Sequence, residues 1–210
     1  MIPYRTRVKI CGMTRAEDVA HAINLGVDAI GLIFYPKSSR YITLEQAKGL
    51  LKNLPPFVDV VAVLVNPEKT LVQKIIDELP IHLLQFHGEE SPAFCQQFNK
   101  PFIKAIQPHT PEQIKQAMTD YQNASAILLD TPSDTQKGGT GLTFDWQIIP
   151  LDLPKPYILA GGLNEFNVLN AIKKTRPYAI DVCSGVEDSP GIKNHLKMNQ
   201  FIKVLGAYNE

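Results

Sequence analysis

The sequence predicts an α/β protein, a single (β/α)8 TIM barrel over residues 1–210, on three observations. Short apolar runs alternate with amphipathic helical patterns from one end of the chain to the other. Eight such units can be counted, at a repeat of roughly 25 residues, the rhythm of sequential βα units. At 210 residues the chain is long enough for one sizeable core and sits near the lower end for a closed eight-stranded barrel. The competing architecture is an open doubly wound sheet, which usually carries a topological break or a single fingerprint loop, and neither is evident. No low-complexity segment or composition shift marks a linker, so one domain is expected.

Val8 to Gly12 is the first apolar run. Thr14-Arg15-Ala16-Glu17 follows as a capping-box pattern, leading a helix with Val19, Ala22 and Ile23 on one face and Gly26 as its stop. Ala29 to Tyr35 is the second strand, and Thr43 with Gln46 opens a helix striped by Leu44, Ala47, Leu51 and Leu54. Val60 to Val65 hands over to Asn66-Pro67, read as a cap and a first-position proline, with Leu71, Ile75 and Leu79 inward. Leu83 to His87 precedes Ser91-Pro92, and Phe102 to Gln107 precedes Thr110-Pro111, two further cap-plus-proline starts. Ile127 to Leu129 reads as a strand buried on both faces. It ends at Asp130 and leads through Gly138, Gly139 and Gly141 to a short helix for Thr143 to cap. Tyr157 to Ala160 is followed by Gly161-Gly162 and a helix begun by Asn164. Ala179 to Cys183 runs into Ser184-Gly185 and a last helix to about Leu205.

The 21 acidic and 21 basic side chains cancel, so no bulk charge draws the chain to nucleic acid or to an anionic membrane. Backbone amides can still build a local phosphate site. Three cysteines without framework spacing fit reduced thiols. No run is long and apolar enough to span a bilayer, and MIPYRTRVKICG lacks an apolar signal core. A cytoplasmic protein is expected, organellar if a transit peptide has been removed, and either a monomer or a homodimer.

In such barrels function gathers at the carboxyl ends of the strands. Cys11, His87 and Asp130 close the first, fourth and sixth strands, and Arg40 lies in the loop after the second. Gly161-Gly162 and Ser184-Gly185 follow strands seven and eight, the usual phosphate cradle of this fold, so a phosphorylated substrate is expected. Alternation puts Lys9 with Cys11, Gln85 with His87, and Asp181 with Cys183 on shared faces. Lys9 below Cys11 favours thiolate, whereas Asp130 or a substrate phosphate opposes it, and spacing alone leaves the balance open. Each residue also has a plain structural reading. Cys11 can be core packing, Asp130 a turn opener, His87 a loop hydrogen bond, and Lys9–Asp181 a buried ion pair. No H-E-x-x-H, paired C-x-x-C or carboxylate cluster is present, so no metal is expected.

Six stretches then read together: VKICGMT, FYPKSSRYI, LLQFHGEE, ILLDT…GGTGLTFDW, ILAGGLNEFNV and DVCSGVEDSPGIKN. In order and spacing, from Val8 to about Val204, they closely resemble the phosphoribosylanthranilate isomerases of tryptophan biosynthesis. The resemblance implies an Amadori rearrangement of N-(5'-phosphoribosyl)anthranilate to 1-(2-carboxyphenylamino)-1-deoxyribulose 5-phosphate. Asp130 would be the general acid on the furanose oxygen and Cys11 the general base at the sugar C2. Arg40 would pair with the anthranilate carboxylate, and Gly162, Ser184 and Gly185 would hold the phosphate. His87 and Asp181 join these as substrate-binding candidates. No cofactor or metal is implied. Cys183 departs from the family, which commonly has Ser there. Cys11 and Cys183, on strands that neighbour one another in a closed barrel, are a candidate pair for oxidative linkage. Two rivals are an indole-glycerol-phosphate synthase, with Lys104 as its nearest catalytic lysine, and a barrel that binds a phosphosugar without turning it over.

Overall fold

In a computed structural model, which describes residues 5–131 and 145–209, eight parallel strands close into a barrel in sequence order. They are β1 (Arg7–Ile10), β2 (Ala29–Ile33), β3 (Asp59–Leu64), β4 (Leu83–Phe86), β5 (Phe102–Ile106), β6 (Ala126–Leu129), β7 (Tyr157–Leu159) and β8 (Ala179–Val182). β8 returns to pair with β1, Lys9 beside Asp181 and Ile10 beside Val182. The outer layer holds α1 (Ala16–Asn24), α2 (Leu44–Leu51), α3 (Lys69–Glu78), α4 (Pro92–Gln96), α5 (Pro111–Asp120), α6 (Val168–Thr175) and α7 (His195–Asn209). A 3-10 turn, Trp146–Ile148, precedes β7. The sequence-predicted loop glycines 138, 139 and 141 and the Thr143 cap lie outside the described residues.

The strands are apolar on both faces because both faces are covered. Ile10, Leu32, Leu64, Leu84 and Phe86 point outward into the layer shared with the helices. Ile103, Ala105, Leu128, Ile158 and Ala179 point inward and fill the barrel, while Val61, Val63 and Cys11 form a separate inner cluster.

Thr43, Ser91 and Thr110 cap α2, α4 and α5 through their hydroxyls, and Gln46 completes the box at Thr43. Gly26 ends α1 with a left-handed φ of 76°. Three expected starts are corrected. Arg15, not Thr14, occupies the N-cap of α1, because the Thr14 hydroxyl donates to the Gly191 carbonyl instead. Asn66 takes a left-handed φ of 45° and α3 begins after Glu68; the Asn66 side-chain oxygen that would cap it accepts the Glu89 amide instead. Asn164 closes a turn onto Phe166 and Asn167, and α6 begins only at Val168. A feature absent from the sequence reading is a small hairpin, β9 (Glu187–Ser189) with β10 (Ile192–Lys193), set over the mouth beyond β8. Among the described residues no helix is long and apolar enough to cross a membrane.

Candidate active site

Strand ladders end one residue short of each reactive side chain. Cys11, His87 and Asp130 each follow a last ladder residue, Ile10, Phe86 or Leu129. Each still donates its amide to the neighbouring strand, at 2.9 Å to Val182, 2.8 Å to Leu64 and 2.9 Å to Ile106. The backbone is pinned while the side chain is released into the mouth. That is the arrangement a preorganised site needs.

Cys11 is buried beside Gly31 of β2. A β-carbon at Gly31 would stand 2.7 Å from the Cys11 sulfur and 3.1 Å from Lys9 Cε, so the glycine makes the room that both side chains occupy. One layer down, Lys9 Nζ donates to Asp181 Oδ2 at 2.7 Å, both groups nearly wholly buried. Burial works against the Lys9 charge, but Asp181 and Cys11 hold the ammonium above the usual lysine range. Burial pushes the Asp181 carboxyl up to about 7 against the pull of Lys9, and its Oδ1 is buried without a hydrogen-bond partner. Cys183 lies next to Cys11 across the β1–β8 seam. Its thiol, hydrogen-bonded to Cys11, holds Cys11 well below the ordinary thiol range; burial opposes this, and the Lys9 and Lys193 ammonium groups add to it. Cys183 is pushed up in turn by that same hydrogen bond and by burial. Of the influences left open by spacing, Cys183, Lys9 and Lys193 favour the thiolate and burial opposes it.

Across the mouth, His87 Nε2 stands 3.1 Å from Asp130 Oδ2, and Asp130 Oδ1 accepts the Thr131 amide at 2.8 Å. Gln85, buried on the inner face of β4, reaches His87 Nδ1 at 3.0 Å. The chain Gln85–His87–Asp130 therefore fixes the carboxyl from two directions.

Arg40 reaches over Gly12 towards the β9–β10 hairpin; a β-carbon on Gly12 would lie 2.7 Å from Arg40 Cδ. Its Nε lies 2.9 Å from Glu187 Oε1, and its Nη2 lies 2.6 Å from Oε2. Lys193 Nζ meets the same carboxylate at 2.9 Å and the Cys183 carbonyl at 3.1 Å. The hydrogen bonds to Glu187 hold the Arg40 guanidinium above its ordinary value. For Glu187, burial opposes ionisation, but Arg40 and Lys193 keep the carboxyl below the usual range.

The loops after β7 and β8 touch directly. A β-carbon on Gly185 would meet the Leu163 carbonyl oxygen at 1.9 Å, and Gly161 and Gly162 take left-handed φ of 82° and 65°. Only glycines allow this approach. Gly162, Ser184 and Gly185 so stand at one rim of the mouth, beside the short 3-10 turn Ser184–Val186. Among the described residues no three His, Cys, Asp or Glu groups gather as a metal would require.

The structure thus brings Cys11, Arg40, His87, Asp130, Gly162, Ser184 and Gly185 to the carboxyl end of the barrel, with Asp181 one layer below. Gln85, Glu187, Lys193 and Gly31 join them without having been singled out for function. For Gln85 the shared face with His87 was the available signal; for Glu187 and Lys193 the pairing depends on a hairpin that sequence periodicity does not show. Lys104, the rival catalytic lysine, points outward. It is buried against Glu90 at 2.8 Å and lies 5.6 Å from the centre of the Tyr121 ring, outside the barrel interior.

Comparison with known proteins identifies the family and the fold. Residues 8–204 match the family model described as N-(5'-phosphoribosyl)anthranilate (PRA) isomerase. An N-(5'-phosphoribosyl)anthranilate isomerase of Legionella pneumophila strain Paris is 67% identical over 205 residues, covering 98% of this chain and 99% of the relative. The crystal structure of the phosphoribosyl anthranilate isomerase from Thermotoga maritima superposes with a TM-score of 0.89 at 39% identity, over 96% of this chain and 99% of that one. A second such isomerase structure, in complex with reduced 1-(o-carboxyphenylamino)-1-deoxyribulose 5-phosphate, gives a TM-score of 0.82 at 36% identity, over the same 96% and 99%. The chain belongs to the N-(5'-phosphoribosyl)anthranilate isomerase family.

Proposed function

We propose that Cys11 and Asp130 are the proton-transfer pair of the isomerisation that this chain catalyses in tryptophan biosynthesis. Asp130, carrying a proton, delivers it to the furanose ring oxygen; the ring C1–O bond breaks and the anilino nitrogen supplies the electrons for a Schiff base. Cys11 as thiolate takes the proton from C2. The electron pair moves into C1–C2 to give an enaminol, which tautomerises to the 2-ketone. The observation that carries this reading is the pair of environments: a thiol held below its ordinary range on β1, and a carboxyl fixed by His87 and Thr131 at the end of β6. Two strands, β7 and β8, lie between them, and the loops of those two strands supply Gly162, Ser184 and Gly185 as the phosphate cradle.

The neighbour that holds a reduced 5-phosphate compound supports the same ligand class for this chain. Arg40 presents its unspent N–H groups to the anthranilate carboxylate, while His87 orients Asp130 and stands beside the substrate. Asp181 acts from below, through Lys9 and the floor of the pocket. The free thiols of Cys11, Cys95 and Cys183 suit a reducing compartment, and the cytoplasm is the location inferred.

The test is a fluorescence assay with freshly prepared N-(5'-phosphoribosyl)anthranilate, comparing wild type with Asp130→Asn. Loss of the anthranilate signal with wild type, and near-abolished turnover with little change in affinity for the variant, is the expected result. Equal turnover by both proteins would remove Asp130 from the acid role.

A further inference from the structure

Arg40 does not stand free at the barrel mouth. Two of its donors, Nε and Nη2, form a fork on the Glu187 carboxylate, at 2.9 and 2.6 Å. A guanidinium has five N–H groups, so both hydrogens on Nη1 and the second on Nη2 remain, all on the edge that faces away from Glu187. Exposure runs the same way. The Glu187 side chain is 4% exposed and that of Arg40 21%, so the acid lies beneath and the open edge of the guanidinium above.

Glu187 is held as firmly as it holds. Its Oε1 also accepts Lys193 Nζ at 2.9 Å and the Gly191 amide at 3.2 Å, both from the same hairpin. Lys193 has no exposed side-chain surface. Two cations thus share one anion, and of the two only Arg40 has exposed surface to offer a ligand. Without Glu187, the two cations would repel one another in a half-buried site, and the long Arg40 side chain would lose the partner that fixes its rotamer.

We propose that Glu187 is a positioning residue that aims the free edge of Arg40 at the aryl carboxylate of the substrate, so that the β9–β10 hairpin, through Glu187 and Lys193, sets the preference for a carboxylated aniline. This rests on the reading of Arg40 as the carboxylate ligand. Glu187 itself does not touch substrate. The residue acts by holding a planar donor pair in register with a planar acceptor, which is where a bidentate contact gains its specificity.

The experiment compares inhibition by two ligands, 1-(2-carboxyphenylamino)-1-deoxyribulose 5-phosphate and its counterpart without the carboxyl, 1-(phenylamino)-1-deoxyribulose 5-phosphate. Wild type, Glu187→Gln, Glu187→Asp and Arg40→Gln are measured alongside their thermal unfolding. Glu187→Gln is expected to cut the preference for the carboxylated ligand about ten- to hundredfold, the worth of a charge-assisted hydrogen bond. Its inhibition by the phenyl ligand should stay as in wild type, and its KM should rise more than its kcat falls. Glu187→Asp, which keeps the charge but retracts it, should fall between the two, and supplies the reading if Glu187→Gln does not fold. Equal weakening of both ligands would reduce Glu187 to a purely structural role and overturn the proposal. Preference kept in the Glu187 variants but lost in Arg40→Gln would also overturn it, leaving Arg40 as the carboxylate ligand. Preference kept in Arg40→Gln as well would remove the carboxylate reading and this proposal together.

Discussion

Replacing Gly31 by alanine tests how tightly the reactive thiol is placed. The added carbon would stand 2.7 Å from Cys11 Sγ and 3.1 Å from Cys11 Cα, whereas ordinary contact begins at 3.4 Å. The sulfur has to retreat by about 0.7 Å, since closer approach meets steep repulsion. The backbone has little freedom to share the move: Ile10 is in register with Ile30, and the Gly31 carbonyl accepts the amides of Gly12 and Met13 at 2.9 and 3.0 Å. A displacement of about 1 Å at a reacting atom can cost about a hundredfold in rate. We expect kcat/KM to fall by about ten- to a hundredfold in Gly31→Ala, mainly through kcat. Overpacking of this kind also costs about 1–3 kcal/mol of stability. For a chain of this size that lowers Tm by about 2–12 °C. Gly49→Ala is the control. Its β-carbon meets nothing within 4 Å on α2, so it should keep full activity and gain slightly in stability. The assay is turnover of N-(5'-phosphoribosyl)anthranilate by fluorescence, at a temperature where both variants are folded. A kcat/KM for Gly31→Ala within about twofold of wild type would refute the reasoning, because a thiol that can move that far without loss is not positioned for the rate-determining step.

Cys183→Ala removes the hydrogen bond that contributes most to holding Cys11 low. The base form of Cys11 is present above its pKa, so raising that pKa moves the acid limb of kcat/KM to higher pH; an unmoved limb would count against Cys11 as the base. Exposure to hydrogen peroxide should convert the Cys11 thiolate to a sulfenic acid with release of hydroxide, after which the Cys183 thiol displaces water to form a disulfide. Of the three thiols, one, Cys95, should then titrate after denaturation. Dithiothreitol should restore both the thiols and the activity, whereas three titratable thiols after loss of activity would rule out the linkage. Lys104→Met leaves Glu90 buried with its charge and only backbone amide donors, and is expected to cost about 3–5 kcal/mol in urea unfolding. Adding Glu90→Gln should recover part of that loss, and no recovery would mean that packing rather than charge is responsible.

The barrel was legible because its signal is local and repeated: apolar runs of strand length, proline-marked helix starts, and reactive residues just past each run. Ser91, Thr110 and Thr43 behaved as their spacing implies, since each cap needs only the amide two or three residues ahead. Thr14, Asn66 and Asn164 did not, because long-range partners or tight turns claimed them first. The Gly191 carbonyl took the Thr14 hydroxyl, and the Glu89 amide took the Asn66 side-chain oxygen. The same reason hid Glu187 and Lys193. Their importance is a matter of whom they meet, Arg40 from the loop after β2, and no periodicity within SGVEDSPG announces that contact. Gly31 was passed over as an ordinary strand residue, although its missing side chain is what lets Cys11 face inward.

The seam between β1 and β8 carries an implication for synthesis of the chain. Lys9 and Asp181 bond across 172 positions of sequence, and Cys11 meets Cys183 beside them. Nothing in the first seven strands can supply those partners. With Cys11 in its proposed role as the base, a nascent polypeptide still lacking β8 would have that thiol without Cys183 and Asp181 around it, and would be inert however well its early units had packed. Ring closure, which pays the largest loop entropy of the fold and comes only with the last strand, is therefore also the moment at which the enzyme becomes chemically competent.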